Sequence, residues 1–172
     1  RASSIKLSDS NIGRAVQLCQ KTNQFNLRTV RYTAYDLKEL TKVNEDFCIL
    51  TSLEDIYGGH GMVGMFCLKE IDTKTVFLDN FLLSCRVLGR HYESWMLSEV
   101  MKIAHNNNYQ RVMAEFIPTE RNNIASSFLE NNGFTKVESY SEIGIGSLSI
   151  ISEFIGTHYL RTTENLKVRY RD

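Results

Sequence analysis

Arg86, Gly89, Arg90 and His91 stand close together between the apolar run Phe81-Leu82-Leu83-Ser84 and a helical pattern that opens near Tyr92. A strand that turns directly into a helix leaves the first helical amides unpaired. Those amides, with two guanidinium groups beside them, form a ready site for a phosphate or pyrophosphate. Val87 and Leu88 complete the turn. Gly89 serves such a turn with or without a ligand, and short glycine patterns recur by chance. Two arginines at a helix start favour the ligand, because the helix dipole prefers acidic residues there. The turn also falls where a sheet meander hands over to a helix, a favoured ligand location in open α/β sheets.

Other side chains carry possible chemistry. Asp79 and Glu115 sit on the two strands that would flank a cleft at this turn. Each can be a general base toward an amine, or a structural hydrogen-bond acceptor. Asn23, Gln24 and Asn26 fall in one polar loop, where they can line an acceptor site or stabilise their own turn. Cys85 can take an acyl group as a thioester beside Arg86, or simply pack as a thiol. His60, in a glycine-rich turn, reads as exposed. Cys19, Cys48, Cys67 and Cys85 form no C-x-x-C pair and match no zinc spacing. They read as reduced thiols of a cytoplasmic protein, with no metal expected.

These groups need elements to position them. The pattern predicts a helix over residues 9–22, capped by Asp9 or Ser10, and a second helix from Thr33 to Leu40. A three-strand meander follows: Phe47–Leu53, Met62–Leu68 and Val76–Leu83. Then come a helix from Tyr92 to Asn106 and a strand from Arg111 to Phe116, parallel to the strand before the helix. A helix over Asn122–Glu130, stopped at Gly133, a strand over Phe134–Glu138 and a last strand over Thr157–Thr163 complete the order. Residues 139–156 read as an irregular excursion, with a short helix possible around Ile150 to Phe154. The order calls for an α/β mixed sheet with helices on both faces. Residues 1–10 read as a linker remnant and 11–172 as one domain.

Composition narrows the function. The chain has 172 residues, 42% of them hydrophobic, enough for one core. Lys+Arg and Asp+Glu both number 20, so the net charge is zero and no basic stripe points to nucleic acid. No apolar run is long enough for a membrane span, and the start lacks the apolar stretch of a signal peptide.

The spacing Arg86-x-x-Gly89-x-His91 resembles the acyl-CoA pyrophosphate loop of the GNAT superfamily of N-acetyltransferases, Arg-x-x-Gly-x-(Gly/Ala), with His91 in place of the last small residue. The run Asn122-x-x-Ala125-x-x-Phe128-Leu129-Glu130-x-x-Gly133-Phe134 resembles the second signature of that superfamily. The resemblance implies a GNAT-like acyl-CoA N-acyltransferase fold. Its donor would be CoA-borne, as acyl-CoA, or the phosphopantetheine arm of an acyl carrier protein. Arg86 to Tyr92 would hold phosphate and Asn122 would lie near the pantetheine arm. Two adjacent parallel strands would splay, and the cofactor amides would pair with an exposed edge at Phe81, Leu82, Leu83 and Ser84. His91 would either obstruct the pyrophosphate or contact it as an imidazolium. Leu129 stands where many members carry the Tyr that protonates the leaving thiolate. Without that proton donor, transfer slows by about 10²–10⁴-fold.

A longer resemblance covers about residues 14–138. Lys21-Thr-Asn-Gln-Phe-Asn-Leu-Arg-Thr29, Arg31-Tyr32-Thr33, Phe81 to Arg90 and Ile117-Pro118-Thr119 look like the C-terminal GNAT-like domain of FkbH-like proteins. That implies a preceding haloacid-dehalogenase (HAD) type domain in the full-length chain. It also implies a part in loading a glyceryl unit onto an acyl carrier protein. The HAD nucleophile motif is missing from this sequence, so its phosphatase chemistry would lie elsewhere. Two functional readings stand at this point: an acyltransferase using a pantetheine thioester, and a non-catalytic docking or substrate-presenting module.

Overall fold

A computed structural model describes residues 1–138 and 156–164. The expected excursion, apart from Gly156, and the helix expected around Ile150 to Phe154 lie outside the described residues. Ala2–Lys6 forms strand β1, so the reading of residues 1–10 as a linker remnant is corrected. The strand is polar because it is an edge: it pairs antiparallel with one neighbour and leaves most of its residues exposed.

Helix α1 (Ile12–Lys21) starts from Asn11, two residues after Asp9 and one after Ser10, the expected caps. Asn11 is buried and ties down the preceding turn. Its Oδ1 accepts from the Ser8 amide at 2.8 Å and its Nδ2 donates to the Lys6 carbonyl at 3.0 Å. Strand β2 is only Phe25–Asn26. Helix α2 (Ala34–Val43) begins with a capping box, in which Thr33 and Asp36 satisfy each other's backbone amides. The meander is β3 (Cys48–Asp55), β4 (Gly58–Glu70) and β5 (Thr75–Leu83). Helix α3 (Tyr92–Asn106) leads to β6 (Arg111–Phe116), which pairs parallel with β5.

The helix expected over Asn122–Glu130 is broken. A 3₁₀ turn at Asn123–Ala125 precedes a single α turn, α4 (Phe128–Asn131). Asn122 is fully buried and bonded to the backbone of remote Asn26 and of Ile117 five residues upstream, which fixes the chain direction there against a continuous helix. Strand β7 is Thr135–Lys136, shorter than expected, and β8 is Thr157–Thr162.

The strands form one mixed sheet in the order β1-β3-β4-β5-β6-β8-β7, with β2 attached to β5. Three apolar clusters cover its faces, the smallest around Ile71, Phe77 and Met113. Ala15, Leu18 and Leu37 from α1 and α2 pack on Leu50, Met65 and Leu82. Met96, Val100 and Met101 from α3 pack with Phe66, Leu78, Phe81 and Leu83 on the other face. Three thiols are sealed in the first layer. Cys48 and Cys67 face each other across β3 and β4 with sulfurs 3.3 Å apart, and burial pushes the Cys19 thiol up to about 12. No helix among the described residues is long and apolar enough to cross a membrane.

Candidate functional site

Strands β5 and β6 part company at one residue. Their parallel pairing ends at Leu78 and Ala114, and on its other side β5 shifts register there, pairing Leu78 with Leu68 but Asn80 with Cys67. Asp79 is the extra residue. Such a bulge bends its strand, here away from β6. A wedge-shaped gap opens beyond it, as the family resemblance implies.

The chain fills that gap itself. At the vertex lies the side chain of Arg28. Its Nη1 donates to the Asp79 carbonyl at 2.8 Å and carboxylate at 2.9 Å, and its Nε donates to Glu115 Oε1 at 2.8 Å. The guanidinium also sits 4.9 Å from the centre of the Phe77 ring. Glu115 is 0% exposed, and its second oxygen accepts from the Gly156 amide at 3.1 Å and lies 2.9 Å from His158 Nε2. Burial pushes the Glu115 carboxyl up, but the bonds from His158, Arg28 and Gly156 outweigh it and hold the group below its usual range. Asp79 and Glu115 therefore form a structural ion cluster, which corrects their candidacy as bases. Glu115, sealed and paired with a guanidinium, keeps its charge and has little affinity for another proton.

Farther out, the gap is occupied by β2. Phe25 and Asn26 pair with Leu83 and Leu82. The Leu27 amide donates to the Phe81 carbonyl at 3.2 Å, and the Ile117 amide donates to the Leu27 carbonyl at 2.9 Å. One short segment thus bridges both diverging strands. Phe81, Leu82 and Leu83 are fully buried, and the Ser84 amide is spent on Val63 of β4. The edge expected to meet cofactor amides is already paired. Asn122 lies beside this gap, but its Nδ2 donates to the carbonyls of Asn26 and Ile117, both at 2.9 Å. Asn26 is likewise structural. It is fully buried, and its Oδ1 accepts from the Thr29 amide at 2.8 Å, holding Thr29 at φ 56°. A β-branched residue in that left-handed region costs about 1–2 kcal/mol. The wedge is held in place against this strain.

The turn before α3 does leave amides open. Residues Cys85–Val87 make a 3₁₀ turn, Gly89 has φ 78°, and the first bond of α3 runs from the Trp95 amide to the His91 carbonyl. The two arginines diverge. Arg90 Nη1 donates to Asp55 Oδ2 at 2.6 Å on the far hairpin. The Asp55 carboxyl also accepts from His60 and the Tyr57 amide, and these bonds with Arg90 hold it far below its usual range. His60 is therefore partly covered and engaged. Arg86 turns to the opposite side. Val87 is fully buried and Tyr92 nearly so; they anchor the turn rather than face a ligand.

His91 is exposed and takes φ 57°, ψ 15° at the helix N-cap, where its side chain caps nothing. The residue lies open to solvent. The backbone conformation gives the reason a small residue, glycine above all, suits this place. His91→Gly is expected to stabilise the chain by about 1 kcal/mol, seen as a rise of roughly 2–4 °C in thermal midpoint. An unchanged or lower midpoint would contradict that assignment of strain.

On the α1 face, Arg86 lines a cavity of about 560 Å³ together with Asn23, Gln24, Arg14, Lys21 and Arg121. Asn23 and Gln24 thus meet in one place, without Asn26. Cys85 borders the cavity and is exposed, unlike the other three cysteines. The sequence assigns no role to Arg28, His158, Arg14, Lys21 or Arg121, although Lys21 and Arg28 fall in the run that carries the longer resemblance. Each stands alone in a mixed segment, and only the fold brings them to the cleft or cavity. Leu129, on α4, is buried in the core.

No family model matches this sequence, and no curated protein matches it. Solved structures do. A Mycobacterium tuberculosis protein in complex with CoA aligns with TM-score 0.65 at 16% identity, over 93% of this chain and 98% of that one. An acetyltransferase of the GNAT family from Staphylococcus aureus aligns with TM-score 0.67 at 13% identity, over 95% of this chain and 100% of the other. The N-acetylglutamate synthase of Neisseria gonorrhoeae, complexed with coenzyme A and N-acetyl-glutamate, gives 0.61 at 12% identity, over 95% of this chain and 35% of that one. The fold is that of the GNAT acetyltransferases.

Proposed function

We propose that this chain is a GNAT-fold acyltransferase-like domain that recognises acyl-CoA or the phosphopantetheine arm of an acyl carrier protein. What supports the reading is a parallel strand pair that parts beside an amide-rich helix start, in a fold whose solved examples include CoA complexes. In this reading the amides from Gly89 to Tyr92 hold the phosphate end, while Arg86, turned to the α1 face, does not. The acyl end would enter the gap along Phe81 to Ser84, where backbone amides polarise the thioester carbonyl for direct attack. Phe25–Leu27 must withdraw before that can happen. We take residues 11–172 as one domain, with β1 extending its sheet. A reducing, cytoplasmic setting suits its free thiols.

The self-filled gap favours a second reading. Here the domain no longer transfers acyl groups and serves as a docking or substrate-presenting module beside the HAD-type domain of an FkbH-like protein. Calorimetry with CoA, acetyl-CoA and phosphopantetheinylated carrier protein, followed by a thiol-release assay, separates the two. Binding with thiol release supports transfer. Binding without release across an amine and carrier panel leaves only the docking module. No binding by any of the three ligands removes both.

A further inference from the structure

The cavity on the α1 face touches the proposed carrier path only at Leu83 and Ser84, and its lining carries an unbalanced positive charge. Four cations line it, Arg14, Lys21, Arg86 and Arg121, with the amides of Asn23 and Gln24, and no carboxylate lines it. Arg14 is fixed: its Nε and Nη2 donate to the Met62 carbonyl at 3.2 and 2.8 Å. No side-chain hydrogen bond or ion pair within the described residues engages Lys21, Arg86 or Arg121. Other cations that meet a carboxylate pair with it, as Arg28 does with Asp79 and Glu115, Arg90 with Asp55 and Lys6 with Glu45 and Asp46. Lys69, Lys74 and Lys136, unpaired within the described residues, stand exposed and apart in sequence rather than around one cavity. Gathering unpaired cations around one concave site costs repulsion, and a bound anion relieves it.

We infer that this cavity binds a small molecule carrying two or more negative charges, as phosphate or carboxylate groups, at a site separate from the α3 amides. Arg14 and Arg121 reach it from α1 and from the segment before α4, so the ligand is gripped from two elements. The amides of Asn23 and Gln24 are suited to its uncharged polar groups. A volume of about 560 Å³ suits a metabolite rather than a macromolecule. The site lies at the C-terminal end of β5, next to the mouth of the strand gap, where a substrate would meet an acyl group. Only that last role, as substrate of transfer, rests on the function proposed above; the binding stands on its own.

The test uses the whole chain with inorganic pyrophosphate and citrate as probes, and glycerol as the uncharged control. Calorimetry is paired with alkylation of Cys85 by N-ethylmaleimide, since Cys85 borders the cavity and the other three thiols are buried. At least one anion is expected to bind and slow Cys85 alkylation severalfold. Arg121→Gln and Lys21→Gln should each weaken that anion about tenfold, while Lys102→Gln on α3 leaves it unchanged. A preference for pyrophosphate names a phosphate ligand, and one for citrate names a carboxylate. CoA affinity measured at saturating anion should be unaltered. The inference is overturned if neither anion binds, or if binding ignores both cavity substitutions. It is equally overturned if CoA and the anion exclude each other, since the cavity would then be the carrier's own phosphate site. Anion binding without CoA binding would refute the thiol-carrier reading alone.

Discussion

Arg28→Met is expected to destabilise the chain by about 3–5 kcal/mol, because it strands two carboxylates in the strand gap. At about 2–4 °C per kcal/mol for a chain of this size, the thermal midpoint should fall by roughly 10 °C. Glu115 is fully buried and the Asp79 side chain is 16% exposed, and Arg28 is the guanidinium that joins them. The loss should depend on pH in a defined direction. The folded Glu115 carboxyl is held low, so its contribution to wild-type stability is complete above the ordinary Glu value of about 4.3 and disappears as pH falls through the folded value. In the variant, a proton can neutralise the orphaned carboxyl. The stability difference between the two proteins should therefore shrink on acidification. Adding Glu115→Gln to Arg28→Met should restore part of the loss at neutral pH. A gap between wild type and variant that is constant from pH 7 to pH 4 would show that electrostatics is not the cause.

Asn122→Ala should loosen the wedge. The side chain donates to Asn26 and Ile117 and accepts from the Thr119 amide at 2.7 Å, with no exposure to water. Removing it orphans buried backbone groups at about 1–3 kcal/mol each, so a total of roughly 3 kcal/mol is expected after relaxation. The local signature is sharper. The amides of Leu27 and Ile117, which stitch the wedge to both strands, should exchange with solvent deuterium much faster than those of β4. If the acyl-transfer reading holds, the same variant should release thiol from acetyl-CoA faster than wild type under conditions where both remain folded. Uniform acceleration of exchange throughout the sheet would mean the residue only supports global stability.

These two sites mark the limit of what was legible in the sequence. The meander, α3 and the parallel β6 follow from apolar periods and turn residues within short windows, and the structure has them within a few residues of expectation. The capping box at Thr33 and Asp36 is equally local. The polar edge strand β1 hides its pairing because one neighbour and open solvent impose no apolar alternation. A two-residue strand such as β2 has no period to detect. The broken helix at Asn123–Ala125 looks continuous until Asn122 is seen to be tied to a distant loop. The splayed strands were foreseeable from resemblance, but not the segment that fills them. Arg28 finds its carboxylates on two other strands, and the cavity collects its cations from α1, the β5–α3 turn and the segment before α4. Spacing along a chain cannot report such meetings.

The outer border of β1 has a consequence for handling the protein at high concentration. Its hydrogen-bonding groups on that side are unsatisfied by any described strand, the usual invitation to intermolecular sheet extension and aggregation. Serines, a terminal lysine and a length of only five residues discourage a second molecule from stacking there, despite the half-exposed Ile5. The polarity that conceals this strand in the sequence thus keeps an open-ended sheet from growing.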